Sequence, residues 1–373
     1  MSPDHNEIPV VDLNDLRSPQ TDVRAKAAAD MRRAFGHFGL VYLRNHGVDM
    51  ELLEAFYDAF LEFTDRPEDE KQQLSGGDIW YQRGWTPPNT EKAVVAGGQP
   101  DFKECYFITP DDPNPAIQRE YPEIYASNIW PPDADSFERS YTALSRQLQQ
   151  VGVNLLRGCA ASLGLAPQLF ETKVDGGPHV TRALRYIPLT DAQVGTGVVW
   201  GEEHTDFNFL TILPGGRFLD PDGQRCDKPD PKAGLYLRTR PNAEFPNGRK
   251  VQGKTPEGCI VAQVGQQLEV LTGGEFTATP HVVEAPDQPG YSRVAMAHFV
   301  HLHAHEKLFP LEQFQTDETV RGYGPPVMVG TYNLKTLVDI GLAPKEALGR
   351  LGYTQYERLG KIREDEEAGT PAE

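Results

Sequence analysis

His204-Thr205-Asp206-Phe207-Asn208-Phe209-Leu210-Thr211-Ile212-Leu213 joins a histidine and a carboxylate directly to an apolar run. Read as a strand, the stretch turns alternate side chains to one face, so His204 and Asp206 converge on one point. An imidazole and a carboxylate so placed are two members of the 2-His-1-carboxylate set that holds non-haem Fe(II) and leaves coordination positions open. Taken alone, His-x-Asp also describes a polar turn or a structural histidine. A third ligand in a matching setting decides between the two readings.

The texture around this stretch predicts the fold. After Pro178, short β-rich runs alternate with Gly and Pro turns, at 182–187, 209–213, 234–238, 259–264, 268–272, 281–284 and 293–300. Many short strands with such punctuation predict a closed sheet or a double-sheet jelly roll. Residues 214–258 read as a loop-rich insertion, dense in Pro, Gly and Asp.

Upstream, 8–13 and 38–43 read as strands. A helix runs from about residue 21 to Gly36, a glycine suited to the left-handed position after a helix. Asp49 can cap a second helix, whose Leu52, Leu53, Phe56, Phe60 and Phe63 recur at helical spacing. Residues 75–89 read as loop. The longest helix spans about 135–163, with Leu144, Leu148, Val151, Leu155 and Cys159 in one apolar stripe. From Leu311 the chain turns helical again. The class is α+β with a mainly β core, a single domain over 1–363. It divides into a helix-rich region (1–177), a jelly-roll core (178–305) and a helical C-terminal cover (306–363). The acidic tail 364–373 is expected to be disordered.

The third ligand lies downstream. Gly273-Gly274 between apolar runs signals a tight hairpin, and the returning strand carries Thr277-Ala278-Thr279-Pro280-His281-Val282-Val283. A second turn cluster, Pro286-Asp287-Gln288-Pro289-Gly290, precedes Tyr291-Ser292-Arg293-Val294-Ala295. With that turn centred near Asp287 or Gln288, His281 faces Arg293 or Ala295 across an antiparallel ladder, and opposed residues share a face. An arginine turned into a barrel needs an anion, since an uncompensated buried charge costs several kcal/mol by order of magnitude. Its planar fork fits a carboxylate. A metal flanked by such an arginine suits a co-substrate that chelates at one end and carries a carboxylate at the other, a description that 2-oxoglutarate meets. The other reading of Arg293 is an ion pair with one of the chain's own acids.

A net charge of -18 over 373 residues disfavours nucleic acid and anionic membranes as partners. Cys105, Cys159, Cys226 and Cys259 are too scattered for a zinc knuckle or a disulfide framework. The N-terminus lacks the basic and apolar regions of a signal peptide, and no apolar run is long enough to span a bilayer. The expected setting is the cytoplasm, with a small-molecule substrate and a monomer or weak homo-oligomer. Serine-hydrolase, P-loop and dinucleotide signatures are absent.

With these residues in place, the chain resembles the isopenicillin-N-synthase-like branch of the Fe(II)/2-oxoglutarate-dependent dioxygenases over nearly its whole length. Ile8-Pro9-Val10-Val11-Asp12-Leu13, Phe38-Gly39-Leu40, Asn45-His46-Gly47-Val48 and Pro67-Glu68-Asp69-Glu70-Lys71 are similar to that family's N-terminal region. Asp101-Phe102-Lys103-Glu104 is similar to its Asp-aromatic-Lys-Glu signature. His204-Thr205-Asp206, Leu210-Thr211-Ile212-Leu213, His281 and Arg293 match its catalytic core.

The resemblance implies a distorted double-stranded β-helix with iron at its mouth. It implies Fe(II) on His204, Asp206 and His281, the distal carboxylate of 2-oxoglutarate on Arg293, and O2 as oxidant. Two positions depart from the pattern. Arg-x-Ser becomes Arg293-Val294-Ala295, and Asn-x-Tyr becomes Leu184-Arg185-Tyr186, where Tyr186 keeps a place near the co-substrate. Two alternatives stay open, an Fe(II) oxidase that does not use 2-oxoglutarate and a non-catalytic small-molecule receptor.

Tyr81, Arg83 and Trp85 lie in the loop that approaches the substrate in similar proteins, and Trp200 and Phe207 flank the first ligands. These five are the candidate pocket walls. Glu202 and Glu203 either meet a cationic substrate or are solvated. His298, His301, His303 and His305 form a cluster. Either it lines the barrel exit or, through the shared strand parity of the last three, it makes a second metal site.

Overall fold

The computed structural model describes residues 7–90, 102–241 and 245–351. Its strands are β1 (Val10–Asp12), β2 (Leu40–Arg44), β3 (Gly84–Thr86), β4 (Lys103–Ile108), β5 (Val180–Tyr186), β6 (Gly201–His204), β7 (Leu210–Leu219), β8 (Arg225–Cys226), β9 (Gly234–Arg238), β10 (Lys250–Gln252), β11 (Cys259–Val264), β12 (His281–Glu284), β13 (Ser292–Val300), β14 (Lys307–Leu308) and β15 (Val327–Met328). Its α-helices are α1 (Thr21–His37), α2 (Met50–Thr64), α3 (Glu68–Gln72), α4 (Pro115–Glu120), α5 (Asp135–Ser162), α6 (Leu169–Val174), α7 (Gln266–Leu271), α8 (Asp317–Tyr323) and α9 (Val329–Asp339).

A nine-stranded sheet runs β1-β2-β11-β7-β13-β5-β4-β3, with β8 beside β7, and a four-stranded sheet runs β10-β9-β12-β6. Together they form the jelly-roll core, with a cavity lined from both.

The helices form and dock for local reasons. Asp49 starts α2, its carboxylate accepting from the Leu52 N–H at 2.9 Å. The α2 aromatics Phe56, Phe60 and Phe63 are buried. Phe56 and Phe63 meet Phe137 of α5, and Phe56 also meets Tyr141, ring centroids 4.5 Å apart. The predicted α5 stripe is buried along its length, and each such side chain contributes roughly 1.5–3 kcal/mol. Gly152 lets α5 approach the large sheet, since a Cβ there would lie 2.8 Å from Val300 Cγ2.

Several expectations are corrected. Gly36 lies inside α1; the left-handed residue after it is Gly39, at φ 65°. The run 268–272 is not a strand. Gly265 in extended conformation opens α7, and the left-handed Gly273 and Gly274 close it, their N–H groups donating to Val270 and Glu269 carbonyls at 3.1 and 3.0 Å. Besides the expected strand at 234–238 (β9), the 214–258 insertion contains the second half of β7 together with β8 and β10, and the loop 75–89 contains β3.

His281 does not face Arg293. β12 pairs with β6 and β9, which sets His281 opposite His204 and Leu237, whereas β13 pairs with β5 and β7. The turn between them crosses from one sheet to the other, because its N–H groups bond elsewhere. That of Asp287 donates to the Asp230 carboxylate and that of Gly290 to the Leu189 carbonyl. Asp101 of the resemblance and the tail 364–373 lie outside the described residues.

Gly39 sits where the chain turns from α1 into β2. A Cβ there would lie 2.2 Å from the Thr277 carbonyl oxygen and 2.3 Å from Thr279 Oγ1. Gly39→Ala therefore combines a left-handed alanine with a backbone clash and is expected to cost at least about 2 kcal/mol of stability. An unchanged midpoint in urea denaturation would refute this.

Candidate active site

His204 ends β6 and His281 begins β12, and the antiparallel pairing of these strands sets the two residues opposite each other. Their ring centroids lie 4.3 Å apart. The Nδ1–H of His204 donates to the Glu202 carbonyl at 2.7 Å. Nδ1 of His281 faces the Gln263 side-chain amide at 2.6 Å and the Thr279 carbonyl at 3.4 Å. The His204 ring, held by its Nδ1–H in this way, turns its Nε2 lone pair outward, the tautomer a metal ligand needs, and His281 takes the same tautomer when the Gln263 amide presents Oε1, which has no other partner among the described residues, to its Nδ1.

Asp206 stands in the connection from β6 to β7, beyond the end of the strand expected to carry it. Its Oδ1 lies 3.6 Å from His204 Nε2 and 3.8 Å from His281 Nε2. Its Oδ2 accepts from Thr211 Oγ1 at 2.7 Å. The three donor atoms lie within 4.8 Å of one another, and among the described residues no other His, Cys, Asp or Glu group is so arranged.

Electrostatics favour the ligand forms of Asp206 and His281. Burial works to raise the Asp206 pKa, but His281, His204 and the Thr211 hydroxyl outweigh it and hold the carboxyl below its usual range. Burial, with His204 beside it, brings His281 down to about 4, so its ring is neutral. Burial works to lower the His204 pKa and the Asp206 carboxylate raises it more. Two imidazoles and one carboxylate on one side, with open space on the other, fit a divalent first-row metal with exchangeable positions. An all-oxygen Ca²⁺ or Mg²⁺ site is built differently.

The open space is a cavity of about 310 Å³. Arg293 and Tyr186 are directly opposed on β13 and β5 and both line it. The Arg293 guanidinium carbon lies 5.7 Å from the Tyr186 ring centroid and 5.8 Å from that of Phe218. It rests flush on the β7 backbone, where a Cβ on Gly216 would come within 2.7 Å of Nη2. No carboxylate among the described residues pairs with Arg293, so those residues do not supply the ion pair that was its alternative reading. Lys228, ahead of β9, lines the same cavity; burial, with Lys254 and Arg293 near, lowers its pKa despite Asp230. Leu184 and Ala295 line the cavity as well, so the two departures are apolar wall positions.

None of the five candidate wall residues lines this cavity. Arg83 is buried, with its guanidinium donating to the carbonyls of Ala126, Gln82 and Ile124 at 3.0, 2.6 and 3.3 Å. Trp85 is a core residue whose Nε1–H donates to Glu104 at 2.9 Å, and Glu104 also pairs with Lys71 at 2.9 Å. Trp200 stacks behind Tyr186, centroids 5.1 Å apart, and donates to the Ile187 carbonyl. Tyr81 and Phe207 are half-buried outside the cavity. Glu203 is taken up by Arg238 at 2.9 Å.

The histidine cluster divides because β13 ends at Val300, so strand parity does not extend to the last three. His298 is buried against Thr181 and Gln149, each contact 2.8 Å. The His301 N–H donates to His179 Nδ1, and His305 bonds Glu120 at the surface.

Sequence reasoning missed Thr211, Gln263 and Gly216 as residues that brace the site. Thr211 stood in the opening motif, but nothing local marked it. Gly216 was hidden in a run read as loop.

Residues 8–133 match the family described as the N-terminal region of non-haem dioxygenase in morphine synthesis, and residues 178–302 match the 2OG-Fe(II) oxygenase superfamily. Kihadalactone A synthase LFS of Citrus sinensis is 28% identical over 291 residues, covering 74% of this chain and 78% of its own. A 2OG-Fe(II) oxygenase family protein from Caulobacter crescentus superposes with a TM-score of 0.72 at 24% identity, covering 90% of this chain and 99% of its own. A full-length Neurospora crassa protein in complex with alpha-KG gives 0.71 at 21% identity, covering 91% and 98%. With the His-Asp-His set and the Arg293 pocket on one jelly roll, the chain belongs to the isopenicillin-N-synthase-like 2OG-Fe(II) oxygenases and is an Fe(II)- and 2-oxoglutarate-dependent dioxygenase acting on a small molecule.

Proposed function

We propose that His204 Nε2, His281 Nε2 and Asp206 Oδ1 hold the iron and that Arg293 holds the distal carboxylate of 2-oxoglutarate. The observation that carries this is the pairing of two features in one cavity: three convergent donor atoms, and a cation cradled on Gly216 with no acid of the described chain beside it. An oxidase without 2-oxoglutarate would have no use for the second. Bound Fe(II) supplies the activation of O2, coupled to decarboxylation of 2-oxoglutarate to succinate and CO2.

The chain's own groups do the positioning. Thr211 fixes which Asp206 oxygen faces the metal, and Gln263 fixes the ring of His281. Arg293 neutralises the co-substrate's far end between Tyr186 and Phe218. Leu184, Leu213, Val261, Ala295 and Met296 keep the walls apolar and exclude water from the reacting centre.

Hydroxylation is the expected outcome, with desaturation or ring formation as variants of the same oxidation. A natural-product substrate is supported by relatives such as Validamycin A dioxygenase of Streptomyces hygroscopicus subsp. limoneus. One oxygenase domain over 1–363 is supported by a continuous core joining the N-terminal helices to the sheets among the described residues. No helix among them is long and apolar enough to cross a membrane. The charge of -18 supports a monomer or weak homo-oligomer without nucleic-acid or membrane partners, in the cytoplasm expected from the scattered cysteines.

Two substitutions test these roles. Thr211→Val removes the hydroxyl that holds Asp206 and is expected to weaken Fe(II) affinity about 10-fold or more, read by anaerobic chelator competition. Wild-type affinity in that variant would remove Thr211 from the site. Arg293→Gln is expected to raise the Kd for 2-oxoglutarate at least about 30-fold, equivalent to roughly 2 kcal/mol, while Fe(II) affinity stays unchanged. Succinate release saturating at the same 2-oxoglutarate concentration in both proteins would contradict the assignment.

A further inference from the structure

An ionised carboxylate offers about four lone-pair sites, and a bidentate guanidinium engages two of them. Leu184 and Ala295 bring no side-chain donor to the carboxylate at Arg293, and Leu213, Val261 and Met296 continue the apolar wall. The loop between β8 and β9 brings a further cation to the cavity, Lys228.

Strand register carries this loop to Arg293. Tyr186, Arg293, Phe218 and Cys226 form one row across the large sheet, each opposed to the next on β5, β13, β7 and β8. Lys228 follows Cys226 by two residues, where the chain leaves β8. The loop is fastened on both sides. The Asp230 carboxylate accepts from the Lys232 N–H at 2.8 Å and from the Asp287 N–H at 3.1 Å, the latter in the turn that leads to Arg293. The carbonyls of Pro229 and Pro231 accept from the side-chain amides of Gln288 and Gln252 at 3.2 and 2.7 Å. A held loop thus presents the lysine, and a Cβ on Gly234, another lining residue, would lie 3.7 Å from its Nζ.

The acids of the surrounding segments are engaged elsewhere. Asp230 is bonded to backbone N–H groups, Glu284 opposite Gly234 pairs with Lys250, and Asp287 pairs with Lys232 at 3.3 Å. No acid among the described residues forms an ion pair with Lys228. Arg293 and Lys254 act on it as like charges instead. Lys228 and Arg293 therefore repel each other unless an anion lies between them.

We infer that Lys228 is a second binding residue for the distal carboxylate of the co-substrate, its ammonium donating to the lone pairs that Arg293 leaves open. A lysine suits this task, because its three donors sit on a flexible stem and need no planar match. The inference rests on the co-substrate assignment above, since it takes Arg293 as the first partner of that carboxylate.

The test is an anaerobic titration of full-length Fe(II)-loaded protein, read by the absorption of the Fe(II)–2-oxo acid chelate. The probes are 2-oxoglutarate and 2-oxopentanoate, a 2-oxo acid of equal chain length without the second carboxylate. Lys228→Met is expected to raise the Kd for 2-oxoglutarate about fivefold, a modest factor because the lysine is exposed. Affinities for 2-oxopentanoate and for Fe(II) should stay at wild-type values, and Lys228→Arg should restore most of the loss.

Wild-type 2-oxoglutarate affinity in Lys228→Met, beside a loss in Arg293→Gln, would overturn this inference and leave the assignment of Arg293 standing. Equal weakening of both acids, a fall in Fe(II) affinity, or a Lys228→Arg variant as weak as Lys228→Met would overturn it too, because each gives Lys228 a role other than charge toward the distal carboxylate. Wild-type 2-oxoglutarate affinity in Arg293→Gln would be a different result, overturning the co-substrate assignment and this inference with it.

Discussion

One carboxylate oxygen, Asp206 Oδ1, faces two imidazole nitrogens, and much of the surrounding structure is arranged to keep it there. The two histidines are opposed by the β6·β12 pairing of the small sheet. Their supports come from the large sheet, where Thr211 of β7 and Gln263 of β11 are themselves direct cross-strand partners. A single rung of one sheet thus braces the carboxylate through Thr211 and one imidazole through Gln263. Asp206 is buried, and an ionised carboxylate between two rings, one of them clearly neutral, costs several kcal/mol by order of magnitude. A bound divalent cation offsets that cost and couples metal binding to the stability of the barrel.

The N-terminal helices are part of the same arrangement. Tyr57 of α2 donates its hydroxyl to the Gly215 carbonyl at 2.8 Å, and Asp58 and Glu54 of the same helix pair with Arg217 at 2.7 and 3.4 Å. These contacts hold the Gly215-Gly216 segment, and Gly216 is the surface on which Arg293 lies. The register of β13 against β7 shifts between Met296 and His298, beside that segment. Helix α2 therefore shapes the pocket around Arg293 without lining it. Under the proposed assignment of Arg293, recognition of the co-substrate rests on charge and on a backbone without a side chain, since Leu184 and Ala295 offer neither an amide nor a hydroxyl.

Much of this was legible in the residues. Strands at Gly234–Arg238, Cys259–Val264 and His281–Glu284 fall where their β-rich runs predict, because turns with special backbone needs bound each one. The His-Asp-His set was legible because its chemistry restricts residue type. What failed was long-range. A short apolar run such as 268–272 suits either a strand or a buried helix, and only the glycines as helix ends decide it. Sheet membership depends on where a turn's N–H groups find acceptors, and for Asp287 and Gly290 these lie far away in sequence. The placement of the aromatic residues outside the cavity was not legible for a similar reason. Their exposure is set by partners such as Glu104 and the Ala126 carbonyl, which a local reading does not place.

The most direct test is anomalous X-ray diffraction at the iron edge from crystals grown anaerobically with Fe(II) and 2-oxoglutarate. One iron peak per chain is expected, within coordination distance of His204 Nε2, Asp206 Oδ1 and His281 Nε2, with 2-oxoglutarate density reaching from it to Arg293. A peak at His301, His303 and His305, or ordered 2-oxoglutarate lying away from Arg293, would contradict the assignment.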